Sequence, residues 1–210
     1  MRDFCNNSPP SEGKYLVVAT SNQNKFFEIR SALGQIGIAL YSLSSFPRIE
    51  EPPETGTTFD ENAKQKAEYY FQHLQNPLLT EDSGLVIPAL NGFPGIHSAR
   101  IAADDASRIA LVLEKMKGRE DRYAYYICSL VYHDGKQMTA VEGRCDGVIT
   151  EEPIGGLGFG YDPIFRPENH PATFGQMTIK QKTFYSHRGR AVEKIIPNLI
   201  AEFRNYVSGQ

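Results

Sequence analysis

Two runs rich in Tyr, Ile and Val, residues 123–132 and 137–149, flank Asp134-Gly135, and this arrangement constrains the fold more than any other stretch. Asp-Gly readily supplies the positive backbone φ that a tight hairpin needs, and β-branched and aromatic residues suit a pleated surface. The pattern predicts two long antiparallel strands. Elsewhere the period changes. Residues 15–19 form a short apolar run, read as a buried strand. The polar turn Thr20-Ser21-Asn22 has N-cap character, and Phe26, Ile29, Leu33 and Ile36 then recur at helical spacing. A second strand is expected over 38–43. Thr58 and Glu61 resemble a capping box, opening a helix with the stripe Phe59, Ala63, Ala67, Tyr70 and Leu74. Asn62 and Lys66 border that stripe and read as a solvated flank, with Lys66 snorkelling.

Further on, Leu78-Leu79-Thr80 leads into an acidic turn, Glu81-Asp82-Ser83-Gly84, before a second apolar run over 85–90. Asp104-Asp105 can start a helix carrying Ile109, Val112, Leu113 and Met116. A final helix spans 188–206, where Pro197 predicts a kink or a break. Helices interleaved with strands and one long hairpin argue for an α/β fold built on a twisted mixed β-sheet with flanking helices.

The chain of 210 residues fits one large domain or two lobes sharing a core, which its 12 Phe and 11 Tyr help to supply. Net charge is -3, so the broad basic footprint of a protein that binds long nucleic acid is absent; a mononucleotide needs only a few local cations. Cys5, Cys128 and Cys145 make neither a disulfide framework nor a paired metal-ligand spacing, and a reducing, cytoplasmic setting is expected. Residues 1–13 are polar with Pro9-Pro10 and read as a disordered lead-in to a single domain over 14–210. No apolar stretch is long enough to span a bilayer, so no membrane partner is expected.

Several clusters carry chemistry. Thr20, Ser21, Asn22 and Lys25 surround an expected helix N-terminus, where free N–H groups and the helix dipole favour anions; the cluster reads either as simple capping or as a polyphosphate cradle. Glu50, Glu51 and Glu54 lie in a Pro-rich loop. Glu54 and Asp82 follow different elements, and folding can bring them together as oxygen ligands for Mg²⁺; the alternative is a surface acidic loop and a turn-forming Asp. Lys66, and with it Lys182, offers point charges for phosphate. The turn running from Pro94 through Ser98 to Arg100 suits a structural corner or a substrate-contacting loop, with Arg100 able to pair with the acidic loop. The run from Gly158 to Phe165 is a rigid loop presenting Phe159, Tyr161 and Asp162. With His187 and Arg188 it can clamp an aromatic heterocycle such as a nucleobase.

Taken in order, these segments resemble the inosine triphosphate pyrophosphatase, or Ham1-like, family. Thr20-Ser21-Asn22-x-x-Lys25 matches its opening motif, and the stretch from Glu54 through Phe59, Asn62 and Lys66 to Ala67 matches the next block. Glu81-Asp82-Ser83-Gly84-Leu85, the run from Gly92 to Arg100, the Phe159 loop and Ser186-His187-Arg188-Gly189 complete the set. The resemblance implies an elongated fold of two lobes around a central cleft. It implies hydrolysis of deaminated purine nucleoside triphosphates (ITP, dITP, XTP) to the monophosphate and pyrophosphate, with Mg²⁺ and as a homodimer. Carried across, it places Thr20, Ser21, Asn22, Lys25 and Lys66 on the phosphates. Glu54 and Asp82 fall on the metal, with Asp82 also the base for the attacking water. Ser83, Phe159, Gly160, Tyr161, Asp162, Lys182, His187 and Arg188 surround the purine. The chain departs from the family pattern in carrying Glu81 where many members have Asp, and Ile179-Lys180-Gln181 where an acidic pair is usual before Lys182.

Overall fold

A computed structural model describes residues 14–34 and 36–207. The expected lead-in over 1–13, Cys5 included, lies outside the described residues. Among these, no helix is long and apolar enough to cross a membrane.

The hairpin forms as its sequence requires. Strands β4 (Tyr123–His133) and β5 (Met138–Ile149) pair antiparallel from Tyr123↔Val148 to His133↔Met138. The Asp134 carboxylate accepts from the amides of Lys136 and Gln137, and Gly135 takes a φ of 93°. Around it stands a six-stranded sheet in the order β2-β1-β3-β4-β5-β6, with β1 at Leu16–Val18, β2 at Leu40–Ser42, β3 at Leu78–Val86 and β6 at Phe165–Pro167. β1 pairs parallel with both β2 and β3, and the remaining pairings are antiparallel. The sheet is therefore mixed, as expected.

The helices cover both faces. Helix α1 (Gln23–Leu33) and the long α5 (His187–Val207) pack on one face through Phe26, Ile29, Ala191, Ile195 and Phe203 against Leu16, Val18, Leu79, Cys128 and Leu130. Helix α2 (Phe59–Leu74) packs on the other through Ala63, Ala67 and Tyr70 against Val17, Leu78 and Val131. Alternation along β1 and β3, with period two, sends neighbouring side chains to these opposite cores. A third core joins α3 (Asp105–Met116) to Leu85, Tyr126, Ile149 and the 161–177 segment.

Three sequence expectations are corrected. Glu81 to Gly84 is not a turn: the segment lies inside β3, and its register with β4 runs unbroken through Glu81↔Leu130, Asp82↔Ser129, Ser83↔Cys128 and Gly84↔Ile127. Of the kink or break expected at Pro197, the break does not occur, since α5 runs through it. Pro197 and Glu193, whose carbonyl it leaves without a helical donor, are both exposed, while Ile195 and Leu199 on either side are buried and hold the helix down. The second strand is confined to Leu40–Ser42, and Ile36 falls beyond the end of α1. A short helix, α4 (Ile179–Tyr185), was not anticipated; Thr178 and Gln181 cap it reciprocally.

The start of α5 sits unusually close to β5. A Cβ built on Gly143 would lie 3.0 Å from the Ala191 Cα and would press on the His187 carbonyl, a backbone atom that cannot rotate away. Gly143→Ala is expected to destabilise the fold by about 3 kcal/mol, at the upper end of overpacking costs, as read from urea denaturation.

Candidate active site

The order β2-β1-β3 contains a topological switch. The chain leaves β1 through α1 on one face to reach β2, then crosses through α2 on the opposite face to reach β3. Open sheets bind ligands outside the carboxyl ends of strands at such a point. Here β1 stops at Val18 while β3 runs on to Val86, so the edge of β3 from Glu81 to Ser83 faces the Thr20-Ser21-Asn22 turn.

A groove of about 420 Å³ occupies that gap, and Thr20, Ser21, Asn22, Lys25, Glu54, Lys66 and Asp82 line it, with Glu81, Ser83 and Arg100. The expected phosphate and metal residues therefore come together. The turn is partly committed to its own backbone: Asn22 Oδ1 accepts from the amides of Asn24 and Lys25, and Thr20 Oγ1 from that of Asn22. Lys66 is not a snorkelling surface lysine. Its Nζ is ion-paired with Glu54, lies 3.2 Å from Asp82 Oδ1 and donates to the Glu81 carbonyl. Nor is Asn62 solvated: it is buried, accepts from the Gly56 amide at 2.8 Å and donates to Asp82 Oδ2 at 3.1 Å. Burial and the nearby Glu54 charge raise the Asp82 carboxyl above its ordinary value, against the pull of Lys66 and Lys25.

A second cavity of about 150 Å³ lies beside the groove. Ser83, Tyr126, Phe159, Gly160, Tyr161, Asp162, Lys182, His187 and Arg188 line it; Asn22, Lys25, Ser83 and Ala99 line both compartments. The Gly158 to Phe165 loop and the start of α5 thus meet across one space. His187 stacks on Tyr126 with ring centroids 4.6 Å apart and planes 6° from parallel. Burial, with the Arg188 and Lys182 charges, keeps its imidazole neutral by holding its pKa well below the usual histidine value. Tyr161 is not a stacking face: its ring belongs to the third core and its hydroxyl donates to the Ser98 carbonyl at 2.6 Å. Phe159 stays half-buried beside the Lys182 ammonium, 4.9 Å from the ring centroid. Ser98 is a corner residue, its hydroxyl accepting from the Leu85 amide and donating to the Gly95 carbonyl.

Below the cavity lies a charge cluster that sequence reasoning missed. Glu28 of α1 is buried, paired with Lys182 at 2.6 Å and with Arg188. Lys182 also reaches Asp162 at 2.5 Å, and Arg188 Nη2 donates to Glu81 Oε2 at 3.2 Å and to Ser83 Oγ at 2.8 Å. Glu81 in turn meets Lys25 at 2.6 Å. Lys182 is thus held by carboxylates in the cavity wall, away from the groove where a phosphate role was considered. Glu28, one position from the buried Ile29 on the α1 stripe, carried no signal except its three-residue spacing from Lys25. Burial pushes the Glu28 and Glu81 carboxyls up, but the adjoining cations outweigh it and hold both below their ordinary values, Glu81 well below. His187 Nδ1 and Arg188 Nε are among the buried polar atoms of the described residues that lack a hydrogen-bond partner.

The fold and site define an α/β protein with a charged groove at a sheet switch point, opening onto an aromatic and basic cavity. Comparison with known proteins gives the family. The sequence model of the Ham1 family matches residues 16–198, and the chain belongs to that family. It is 43% identical over 188 residues to the dITP/XTP pyrophosphatase of Halalkalibacterium halodurans, covering 87% of this chain and 97% of that one. It is 42% identical to the dITP/XTP pyrophosphatase of Prochlorococcus marinus, covering 89% and 91%. Among solved structures, a HAM1 protein from Coxiella burnetii superposes with a TM-score of 0.78 at 36% identity, covering 90% of this chain and all of that one. The Staphylococcus aureus Ham1 protein gives 0.79 at 33%, with the same coverage.

The Glu28 cluster sets a testable pH dependence. A carboxyl whose folded pKa lies below its ordinary 4.5 stabilises the fold fully above that value, and the contribution fades as pH falls through the lowered one. Glu28→Gln strands two buried cations, so it is expected to cost about 3–5 kcal/mol near neutral pH and distinctly less in acid, as read from denaturation midpoints across pH.

Proposed function

We propose that the protein hydrolyses deaminated purine nucleoside triphosphates, dITP, XTP and ITP, to the monophosphate and pyrophosphate, using Mg²⁺. The observation that carries this reading is the junction of the two compartments. A base in the aromatic cavity and a polyphosphate in the groove must be joined past Asn22, Lys25, Ser83 and Ala99, which line both, and Asp82 is the neighbour of Ser83 in β3. The phosphorus nearest the nucleoside then lies closest to Asp82, which selects cleavage between the α- and β-phosphates rather than at the terminal one.

The donor set suits Mg²⁺. Among the described residues there is no cluster of three or more His, Cys, Asp or Glu able to hold a metal alone. Glu54 and Asp82, both in contact with Lys66, provide the one or two carboxylates that Mg²⁺ takes when substrate phosphates complete its shell. Bound there, the ion would neutralise charge on the phosphates and on the leaving pyrophosphate. Asp82 takes a proton from water as the water oxygen bonds to the α-phosphorus and the bond to the bridging oxygen breaks. Its raised pKa suits a carboxylate that must accept a proton, while Asn62 and Lys66 fix the directions of its two oxygens. Lys25 and Lys66, with Thr20 and Ser21, meet the remaining phosphate charge.

Base choice rests on Arg188. Its Nη atoms are spent on Glu28, Glu81 and Ser83, which leaves the unpartnered Nε–H as a donor for the 6-keto group of hypoxanthine or xanthine. Adenine presents an amine at that place, and two opposed donors leave buried polar groups unpaired. The reading extends to a cytoplasmic homodimer with two lobes around the cleft, as the family resemblance implies; sedimentation velocity checks the dimer.

Pyrophosphate release from ITP, XTP, ATP and GTP, with Mg²⁺ and with EDTA, tests the reading. Metal-dependent turnover favouring ITP and XTP is expected; a folded sample inactive on all four contradicts it. Asp82→Asn is expected to lower kcat by about two orders of magnitude or more, with folding intact by circular dichroism.

A further inference from the structure

The groove holds one cation to which the catalytic reading gives no task. Arg100 follows the short 3-10 turn Gly95–His97 at the rim, with 47% of its side chain exposed, and its Nη1 is ion-paired with Oε2 of Glu54. Its Nη2 donates to the Ile96 carbonyl at 3.0 Å. Lys66 takes the other Glu54 oxygen, so both oxygens of a carboxylate only 18% exposed are occupied by cations. Each oxygen keeps a lone pair for a metal, but a divalent cation at Glu54 must overcome the repulsion of both neighbours, and that repulsion falls if one of them yields. Lys66 is poorly placed to do so, being 15% exposed and bonded also to Asp82 and the Glu81 carbonyl. Arg100 has one further tether, on its own turn, and solvent around it.

We propose that Arg100 is an exchangeable counter-ion: it occupies Glu54 while the groove is empty and trades it for the phosphates of the incoming nucleotide, releasing Glu54 to the metal. The inference rests on the pyrophosphate-releasing reading above. Its physical basis is charge balance. Glu54 and Asp82 both reach the one Lys66 ammonium, so two carboxylates share a single cation on the groove, and a rim guanidinium offsets their mutual repulsion. A polyphosphate arriving with its cation reverses the local balance. Phosphate oxygens match the guanidinium fork at least as well as a carboxylate does, and the metal replaces the positive charge Glu54 loses. Arg100 lines the same groove as Lys66 and Lys25.

The test uses the full chain without nucleotide. Mn²⁺ is titrated into the wild type and Arg100→Gln, with free Mn²⁺ read by electron paramagnetic resonance. Pyrophosphate is titrated separately by calorimetry without divalent ions. Arg100→Gln is expected to bind Mn²⁺ about fivefold more tightly, the worth of one half-exposed ion pair removed from competition. It is expected to bind pyrophosphate about tenfold more weakly, the worth of a lost charge-assisted contact. Arg100→Lys, which keeps the charge without the fork, should fall between the wild type and the Gln variant in both. If Arg100 merely positions Glu54, the sign reverses: equal or weaker Mn²⁺ binding by Arg100→Gln overturns the proposal, and so does unchanged pyrophosphate binding. Wild-type turnover of ITP or XTP with Mg²⁺ separates the two levels. Its absence removes the functional reading, whereas its presence with a failed Mn²⁺ result removes only the exchange.

Discussion

Successive side chains of a β-strand must point to opposite faces of its sheet, and β3 carries two carboxylates in succession. Its pairing with β4 holds through both residues, so neither can rotate out of the alternation. Glu81 is committed to the face that α1 and α5 cover, where Lys25 and Arg188 meet it. Asp82 is committed to the face that α2 covers, where Asn62 and Lys66 meet it. One strand thereby builds two different electrostatic sites from consecutive residues, on opposite faces of the sheet. Because β1 ends early, the edge between them is open, and a single ligand can touch both. The separation of the aromatic cavity from the charged groove follows from this alternation, and so does the place at which they join.

The two carboxylates consequently have opposite characters. Glu81, though buried, is held well below its ordinary pKa by Arg188 and Lys25, and it remains an ion that fixes a guanidinium. Asp82 is raised by burial and by Glu54, despite Lys66, and is suited to proton transfer. On the Glu81 side, three carboxylates (Glu28, Glu81, Asp162) face three cations (Lys25, Lys182, Arg188), so their formal charges cancel. Such a cluster adds little to stability compared with a packed apolar core, but removing any one member strands its partners. It ties α1, β3, the Gly158 to Phe165 loop and α4 to the first turn of α5, and thereby fixes the walls of the cavity.

Much of this was legible in the sequence, because local rules coincide with global ones at the decisive places. The Asp134-Gly135 hairpin, the Asn22 and Thr58 caps and the stripes of α1, α2 and α3 follow from turn chemistry and periodicity. The groove residues Thr20, Asn22, Lys25, Glu54, Lys66 and Asp82 were found as separate fragments that the switch point brings together. What escaped was long-range. Glu28 meets Lys182 and Arg188 from more than 150 residues away, and nothing local distinguishes it from a solvated helix glutamate. Helix periodicity alone put Asn62 and Lys66 on a solvated flank because their helix border is polar, whereas the neighbour they face is a buried carboxylate. Glu81 to Gly84 read as a turn because charged and small residues are rare in strand interiors. A site that needs charge inside a sheet breaks that expectation where function lies.

In the proposed reaction the junction at Ser83 delivers the α-phosphorus to Asp82. Hydrolysis of ITP in water enriched in ¹⁸O tests it directly, because attack at the α- or the β-phosphorus yields the same two products with the label in different ones. Mass spectrometry should find a single ¹⁸O in the inosine monophosphate and none in the pyrophosphate. Label in the pyrophosphate, or release of labelled orthophosphate, would place the attacked phosphorus elsewhere and contradict the account.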